Sequence, residues 1–307
     1  MPSTAIQPPQ KTGARAQLKA LYRLMGECRL CPRECATRRM RGAMGVCRSG
    51  VRPRVASINR HFGEEPPISG TRGSGTVFFS NCNMRCVFCQ NFPISQMRVG
   101  KEMTAARLAE GMLRLQKEGA HNVNFVTPTH YAAQAAHAVY LARRTGFSLP
   151  VVWNTSGYER LETLRLLEGF VDIYLCDYRY ATPALAKRYS RAEDYPALIE
   201  PVIEEMLRQV GHFNGERGLI IRHLVLPGHL EETRMILDRI RQRFGPETTV
   251  SFMTQYFPAH KAARFPAINR RLSAEEAEAA LNMLAASGLE NGWAQEDDNL
   301  ADGGGME

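Results

Sequence analysis

Gly75-Thr76-Val77-Phe78-Phe79-Ser80-Asn81-Cys82-Asn83-Met84-Arg85-Cys86-Val87-Phe88-Cys89-Gln90-Asn91 decides the fold. Thr76–Ser80 is a short apolar run of β-branched and aromatic residues, so it predicts a strand. Three cysteines at x3 and x2 spacing follow directly. Downstream, short apolar runs alternate with amphipathic ones. Strands are expected at Val123–Val126, Val151–Asn154, Val171–Cys176, Leu219–Leu226 and Val250–Met253. Helices are expected over Thr104–Lys117, Ala132–Arg144 and Glu231–Phe244, with another starting at Thr182-Pro183. Ser156-Gly157-Tyr158-Glu159 and Ser273-Ala274-Glu275-Glu276 read as capping boxes, opening helices to Leu167 and to about Ala286. Strands that alternate with helices make parallel βαβ units. The fold class is therefore α/β: a partial (β/α)6 TIM-like barrel of parallel strands, short of the eight units of a closed one.

Upstream of the barrel the composition changes. Of eight cysteines, seven fall between Cys28 and Cys89, too few for a disulfide scaffold and too clustered for chance placement. Residues 1–60 hold 13 Lys and Arg against Glu27 and Glu34, a net of +11. The whole chain carries +8, so the remainder sums to −3. The expected organisation is a disordered tail over residues 1–14, a helix plus cysteine-rich metal module over 15–70, the barrel over 71–290, and an acidic disordered tail over 291–307. Within the module, Ala16–Met25 has helical apolar spacing. No apolar run reaches 18 residues and Met1–Gln17 has no apolar leader core, so neither a membrane partner nor secretion is expected. The reducing cytoplasm is the expected compartment.

Soft thiolates suit iron–sulfur clusters, and a four-iron cubane normally takes four of them. Cys82, Cys86 and Cys89 supply three, which leaves one iron open. Zinc also takes clustered cysteines, usually as two pairs. With Phe88 before the last cysteine, the motif resembles that of the radical S-adenosylmethionine (SAM) superfamily. The wider run from Gly75 to Asn91 is similar to the subgroup related to pyruvate formate-lyase activating enzymes, and the similarity covers roughly residues 28–260. The resemblance implies a [4Fe-4S] cluster whose open iron binds SAM. It implies reductive cleavage to a 5′-deoxyadenosyl radical, hydrogen abstraction from a protein or peptide, and an electron donor such as flavodoxin or ferredoxin.

The resemblance also nominates SAM-binding residues. Where relatives often carry Gly-Gly-Glu, this chain has Val126-Thr127-Pro128-Thr129-His130, leaving backbone carbonyls and the hydroxyls of Thr127 and Thr129. His130 reads more readily as a structural or surface histidine than as a site residue. Asn154 matches an Asn-x-x-Gly turn that contacts ribose, or is a turn leading into a helix. Asp177 and Arg179 stand where activases have Asp-x-Lys, or form a surface ion pair. Arg222 interrupts the apolar run Gly218–Leu226 and must find an anion in the lumen, since an unpaired buried charge is costly. Strand alternation turns His223 and Cys176 toward the helices as packing residues. Gln255-Tyr256 replaces a His that activases place at the sixth strand.

Cys28, Cys31, Cys35 and Cys47 make a second set that suits zinc or a second [4Fe-4S] cluster. Arg29, Arg33, Arg38, Arg39, Arg41 and Arg48 surround it and would favour ligated thiolates. Nucleic acid is a weaker explanation of this basic stretch, because aromatics are almost absent from it. The competing reading for the whole chain is a non-catalytic metal-binding adaptor with a basic face. Within the enzyme reading, the competitor is small-molecule chemistry.

Overall fold

The computed structural model describes residues 11–295. Its strands are β1 (Arg54–His61), β2 (Ser74–Phe79), β3 (Lys101–Glu102), β4 (Val123–Val126), β5 (Val151–Thr155), β6 (Ile173–Asp177), β7 (Gly218–Leu224), β8 (Thr249–Met253) and β9 (Asn291–Gln295). They form one open sheet in the order β3-β1-β2-β4-β5-β6-β7-β8-β9. From β2 to β9 every pair is parallel; β1 runs antiparallel to β2 and β3. All six expected strands are present, within a residue or two of their predicted ends. The fold is a partial, unclosed (β/α) barrel.

The helices are α1 (Lys11–Leu24), α2 (Pro66–Ser69), α3 (Phe92–Ser95), α4 (Ala105–Lys117), α5 (Ala132–Arg143), α6 (Leu161–Arg165), α7 (Pro183–Ser190), α8 (Tyr195–Val210), α9 (Leu230–Phe244) and α10 (Ala274–Ala286). Local chemistry explains their starts. Thr104 accepts from the Arg107 amide at α4, and Ser273 with Glu276 closes a full capping box at α10. The outward side chains of the strands, such as Val123, Phe125, Trp153 and Phe252, join the helices in the main core.

Several expectations need correction. Residues 11–14 lie in α1 rather than in a disordered tail, and β9 occupies 291–295; residues 1–10 and 296–307 lie outside the described residues. β9 is hidden in the sequence because Asn291-Gly292 has no strand character. Gly292 lets β9 approach so closely that a Cβ there would lie 2.1 Å from the Val250 carbonyl oxygen. The boundary expected at residue 70 runs through the sheet, since β1 pairs with β2 over Val55–His61. Ser156–Glu159 is no capping box: Arg160 precedes α6, and Glu159 is buried, accepting from Thr129, Thr155 and Trp153. Gly157 carries φ +74° there, and a Cβ would lie 2.4 Å from Ile199 Cδ1. The expected list also lacked α8, whose two prolines, Pro196 in the first turn and Pro201 inside, masked it.

The inward side chains close the lumen at its lower end. Val152, Ile173, Leu175 and Ile220 form a separate apolar cluster around Ile68, which the β1–β2 connection inserts from below. The alternation is the same in each strand: 152 and 154 face in, as do 173, 175 and 177, and 220 and 222.

Candidate active site

Above that apolar plug lies a cavity of about 450 Å³, within the range of small-molecule sites. Its wall includes Cys82, Cys86 and Cys89 on one side and Asn154, Asp177, Arg179 and Arg222 on the other. The cysteine loop is shaped by two left-handed residues, Asn81 (φ 73°) and Arg85 (φ 60°). Asn81 suits that conformation, and its side-chain amide is anchored at 3.1 Å to Ser49 Oγ and 3.2 Å to Tyr131 Oη. Asn83 donates to the Tyr158 carbonyl at 2.9 Å. Phe88 turns inward and packs edge-on against Tyr189 and Tyr256. That packing accounts for an aromatic residue beside the last cysteine.

Each of the three sulfurs has a polar protein partner. The Met84 amide donates to Cys82 Sγ at 3.3 Å, Ser190 Oγ donates to Cys86 Sγ at 2.9 Å, and Cys89 Sγ lies 3.2 Å from Ser95 Oγ. Burial pushes the Cys82 thiol up to about 12, and Cys86 and Cys89 push it further in the same direction. Burial likewise raises Cys89. Thiols that raise one another in this way gain most from a bound cation that replaces their protons. Among the described residues no three His, Cys, Asp or Glu side chains converge on a point that would hold a single ion. A cubane makes a different demand, because each thiolate binds its own iron. Three soft donors around one cavity fit such a cluster.

Across the cavity the charged residues form one network. Arg222 donates from Nε to Asp177 at 2.7 Å and from Nη2 to Asn154 Oδ1 at 2.6 Å. Its Nη1 lies 3.4 Å from Glu65 Oε1. Asp177 also accepts from Arg179. Burial alone would raise the Asp177 carboxyl, but Arg179 and Arg222 together hold it below the usual range. The expectation that Arg222 faces the lumen is therefore met by the geometry, and its reason is corrected. The anion it needs comes from the chain itself, through Asp177 and Glu65. Sequence reasoning passed over Glu64 and Glu65, although two adjacent acids before Pro66-Pro67 were visible.

The remaining candidates divide. Thr127 lines the cavity and has φ 59°, a conformation rare for a β-branched residue and easy for glycine. The backbone thus keeps a glycine-like turn where the sequence has lost the glycines. Thr129 is not brought to the cavity: it is buried and donates to Glu159 Oε1 at 2.7 Å. His130 is structural, buried under the loop with Nε2 donating to the Ser80 carbonyl at 2.9 Å; burial pushes it down to about 3. His223 and Cys176 face the helices as expected. His223 bridges the Tyr178 carbonyl and Thr233 Oγ1, and burial lowers it to about 4. Gln255 lines the cavity and is tied to Gln295 of β9 at 2.6 Å.

The second cysteine set packs behind the cysteine loop. Cys28, Cys31 and Cys47 are buried, and Cys35 Sγ accepts from the Val46 amide at 3.3 Å. Burial pushes Cys31 up to about 12, and Cys47 and Cys28 add to the rise. The surrounding arginines do not all face anions. Arg39 is fully buried and donates to the carbonyls of His130 and Gly50, each at 2.8 Å. Arg33 donates to the carbonyls of Asn83, Ser190 and Arg191 and stacks over Tyr158. Part of the basic excess therefore fastens the module to the barrel.

A sequence model of the Radical SAM superfamily matches residues 76–240, more than half of the chain. The chain belongs to the radical SAM superfamily. Radical SAM domains imply a [4Fe-4S] cluster and SAM, and the three-cysteine cavity described above lies within the matched region. A curated relative, the uncharacterized protein MJ0674 of Methanocaldococcus jannaschii, is 34% identical over 268 residues, 83% of this chain and 73% of that protein. Among solved structures, Streptococcus suis SuiB bound to S-adenosylmethionine has a TM-score of 0.50 at 10% identity, over 71% of this chain and 49% of SuiB. SuiB bound to precursor peptide SuiA gives 0.50 at 10% over 72% and 47%. This radical SAM chain thus spans about half the length of SuiB, and the likeness is one of fold. No helix among its described residues is long and apolar enough to cross a membrane.

Proposed function

We propose that Cys82, Cys86 and Cys89 hold the [4Fe-4S] cluster and that SAM lies between it and the Asp177–Arg179 pair. When bound, the cluster supplies the electron that splits the SAM sulfonium, giving a 5′-deoxyadenosyl radical that takes hydrogen from a substrate. The observation that carries this reading is the single cavity shared by three cysteines and a buried charged network. The chain's own residues position and exclude. Phe88 with Tyr256, and the plug around Ile68, limit water at the sides and below. Arg179 is better placed than Arg222 to meet the SAM carboxylate. It is close enough to Cys86 and Cys89 to interact with them electrostatically, and its buried Nε has no partner among the described residues. Arg222 donates to Asp177, Asn154 and Glu65, so it acts as a positioning residue for Asp177 and Asn154.

The substrate we propose is a protein or peptide, in an activating-enzyme-like reaction with a flavodoxin- or ferredoxin-type donor in the cytoplasm. SuiB, which shares this fold, is described with a precursor peptide, which supports a peptide over a small molecule. Anaerobically reconstituted protein should be brown and should cleave SAM after dithionite reduction. A colourless, inert protein would instead indicate a metal-binding adaptor. With a peptide substrate, deuterium from a labelled peptide should appear in 5′-deoxyadenosine; label arriving only from a small molecule would refute the peptide reading.

We further propose that Cys28, Cys31, Cys35 and Cys47 bind a second metal group: a [4Fe-4S] cluster, or zinc if their side chains rotate to close on one point, since as they stand they do not converge on a single ion. Its support is the burial and mutual influence of Cys28, Cys31 and Cys47. Metal analysis of a variant with Cys82, Cys86 and Cys89 all replaced by Ala is expected to find residual zinc, or about four irons per chain. Metal-free protein after anaerobic preparation would refute the site.

A further inference from the structure

The β1–β2 connection carries chemistry that the cluster and SAM readings leave unused. Antiparallel pairing sets His61 of β1 beside Ser74 at the start of β2, so residues 62–73 lie at the end of the barrel opposite the cysteine loop. Ile68 anchors the connection among the inward side chains of β5, β6 and β7. That anchoring brings Glu64 and Glu65 into the cavity wall.

The polar atoms left over at this floor are mostly acceptors. Glu65 is 3% exposed; one oxygen faces Arg222 and Oε2 has no hydrogen-bond partner. Glu64 Oε2 accepts from Asn154 Nδ2 at 3.2 Å. Asn124 of β4 is fully buried beside Glu64, close enough to pull the Glu64 carboxyl down. Two cations, Arg179 and Arg222, share the network with three carboxylates, Glu64, Glu65 and Asp177. With all three ionised the floor holds one excess negative charge, and a buried unpaired charge is unfavourable. An anionic ligand would worsen this excess, whereas a ligand with N–H donors and a positive charge would relieve it.

We propose that Glu64 and Glu65 form a receptor at the lumen floor for a cationic nitrogen of the substrate, an ammonium or a guanidinium. The inference rests on the radical SAM reading of this cavity and narrows its substrate class. The same nitrogen occurs on a lysine or arginine side chain and on a free amine. Burial pushes Glu64 up to about 7; Arg222 opposes this, while Glu65 and Asp177 reinforce it. Arg179, His61, Arg85 and Tyr256, together with the three cysteines, are the other charged or titratable groups lining the cavity. Because the folded-state value lies above the usual 4.5, Glu64 stabilises the fold at low pH. That contribution is lost as pH rises through about 7.

The test uses anaerobically reconstituted holoprotein with SAM. Calorimetric titration compares N-acetyl-lysine amide and pentylamine with their neutral counterparts, N-acetyl-norleucine amide and pentanol. The cationic probes should bind at least about ten-fold more tightly than the neutral ones. They should also bind roughly ten-fold more tightly at pH 8 than at pH 6, as Glu64 ionises. Glu64→Gln, which keeps the shape and removes the charge, should erase both differences while retaining the cluster absorbance. Preference for the lysine amide over pentylamine would assign the nitrogen to a peptide, and the reverse to a free amine. Neutral probes that bind as well as cationic ones would overturn the receptor, as would unchanged selectivity in Glu64→Gln. If the parent forms its cluster and cleaves SAM while showing no cation selectivity, this inference alone falls. A parent without a cluster would overturn both readings.

Discussion

Replacing any one of Cys82, Cys86 or Cys89 with Ala is expected to remove the cubane's visible absorbance and to reduce SAM cleavage to background. The three sulfurs line one cavity, and no other cysteine lines it, so a missing ligand has no thiol to replace it. Cys176, the one cysteine outside the two sets, is fully buried on the helix side of β6. The fold should survive, because the loop is also held by Asn81, Asn83 and Phe88. Circular dichroism and melting would check that, with iron analysis and turnover measured on the same samples. Retained SAM cleavage in any single variant would remove these cysteines from the mechanism.

Arg222→Met should act on the fold first. It leaves Asp177 and Glu65 buried with one cation, Arg179, which reaches only Asp177. Removing one partner of a buried pair typically costs about 3–5 kcal/mol. In a chain of this size that lowers the melting temperature by roughly five to eight degrees. The double variant Arg222→Met with Glu65→Gln should recover part of the loss, since it removes the stranded charge. Arg179→Met provides the contrast. Its side chain is 27% exposed, so the fold should lose little. SAM affinity should fall about ten- to a hundred-fold, the value of one charge-assisted contact of roughly 1.5–3 kcal/mol. If Arg222→Met melts like the parent, the network is not a structural element. If Arg179→Met binds SAM like the parent, the carboxylate lies elsewhere.

Much of this molecule can be read along the chain, because the features concerned are local. Strand runs such as Val123–Val126 and Val151–Thr155 declare themselves by composition, and caps such as Thr104 and Ser273 by hydrogen bonds that span three residues. The cysteine triplet is equally local, since its spacing alone sets three thiols in one loop. With Arg222 assigned to the lumen by its charge and Asp177 by its resemblance, strand alternation turned His223 and Cys176 to the helix side, because the period of two is a property of the extended backbone.

Other features arise only when distant segments meet. Glu159 looked like part of a cap because Ser156 precedes it by three residues; Thr129 and Trp153 instead draw it into the interior. Asn291–Gln295 has no strand signal of its own and extends because β8 offers a free edge. Above all, the sequence places an isolated arginine in an apolar strand and so demands an anion, without saying whose. The tertiary structure supplies Asp177 from the neighbouring strand and Glu65 from a connection 157 residues away. Coulomb attraction depends on distance in space, and separation along the chain carries no trace of it.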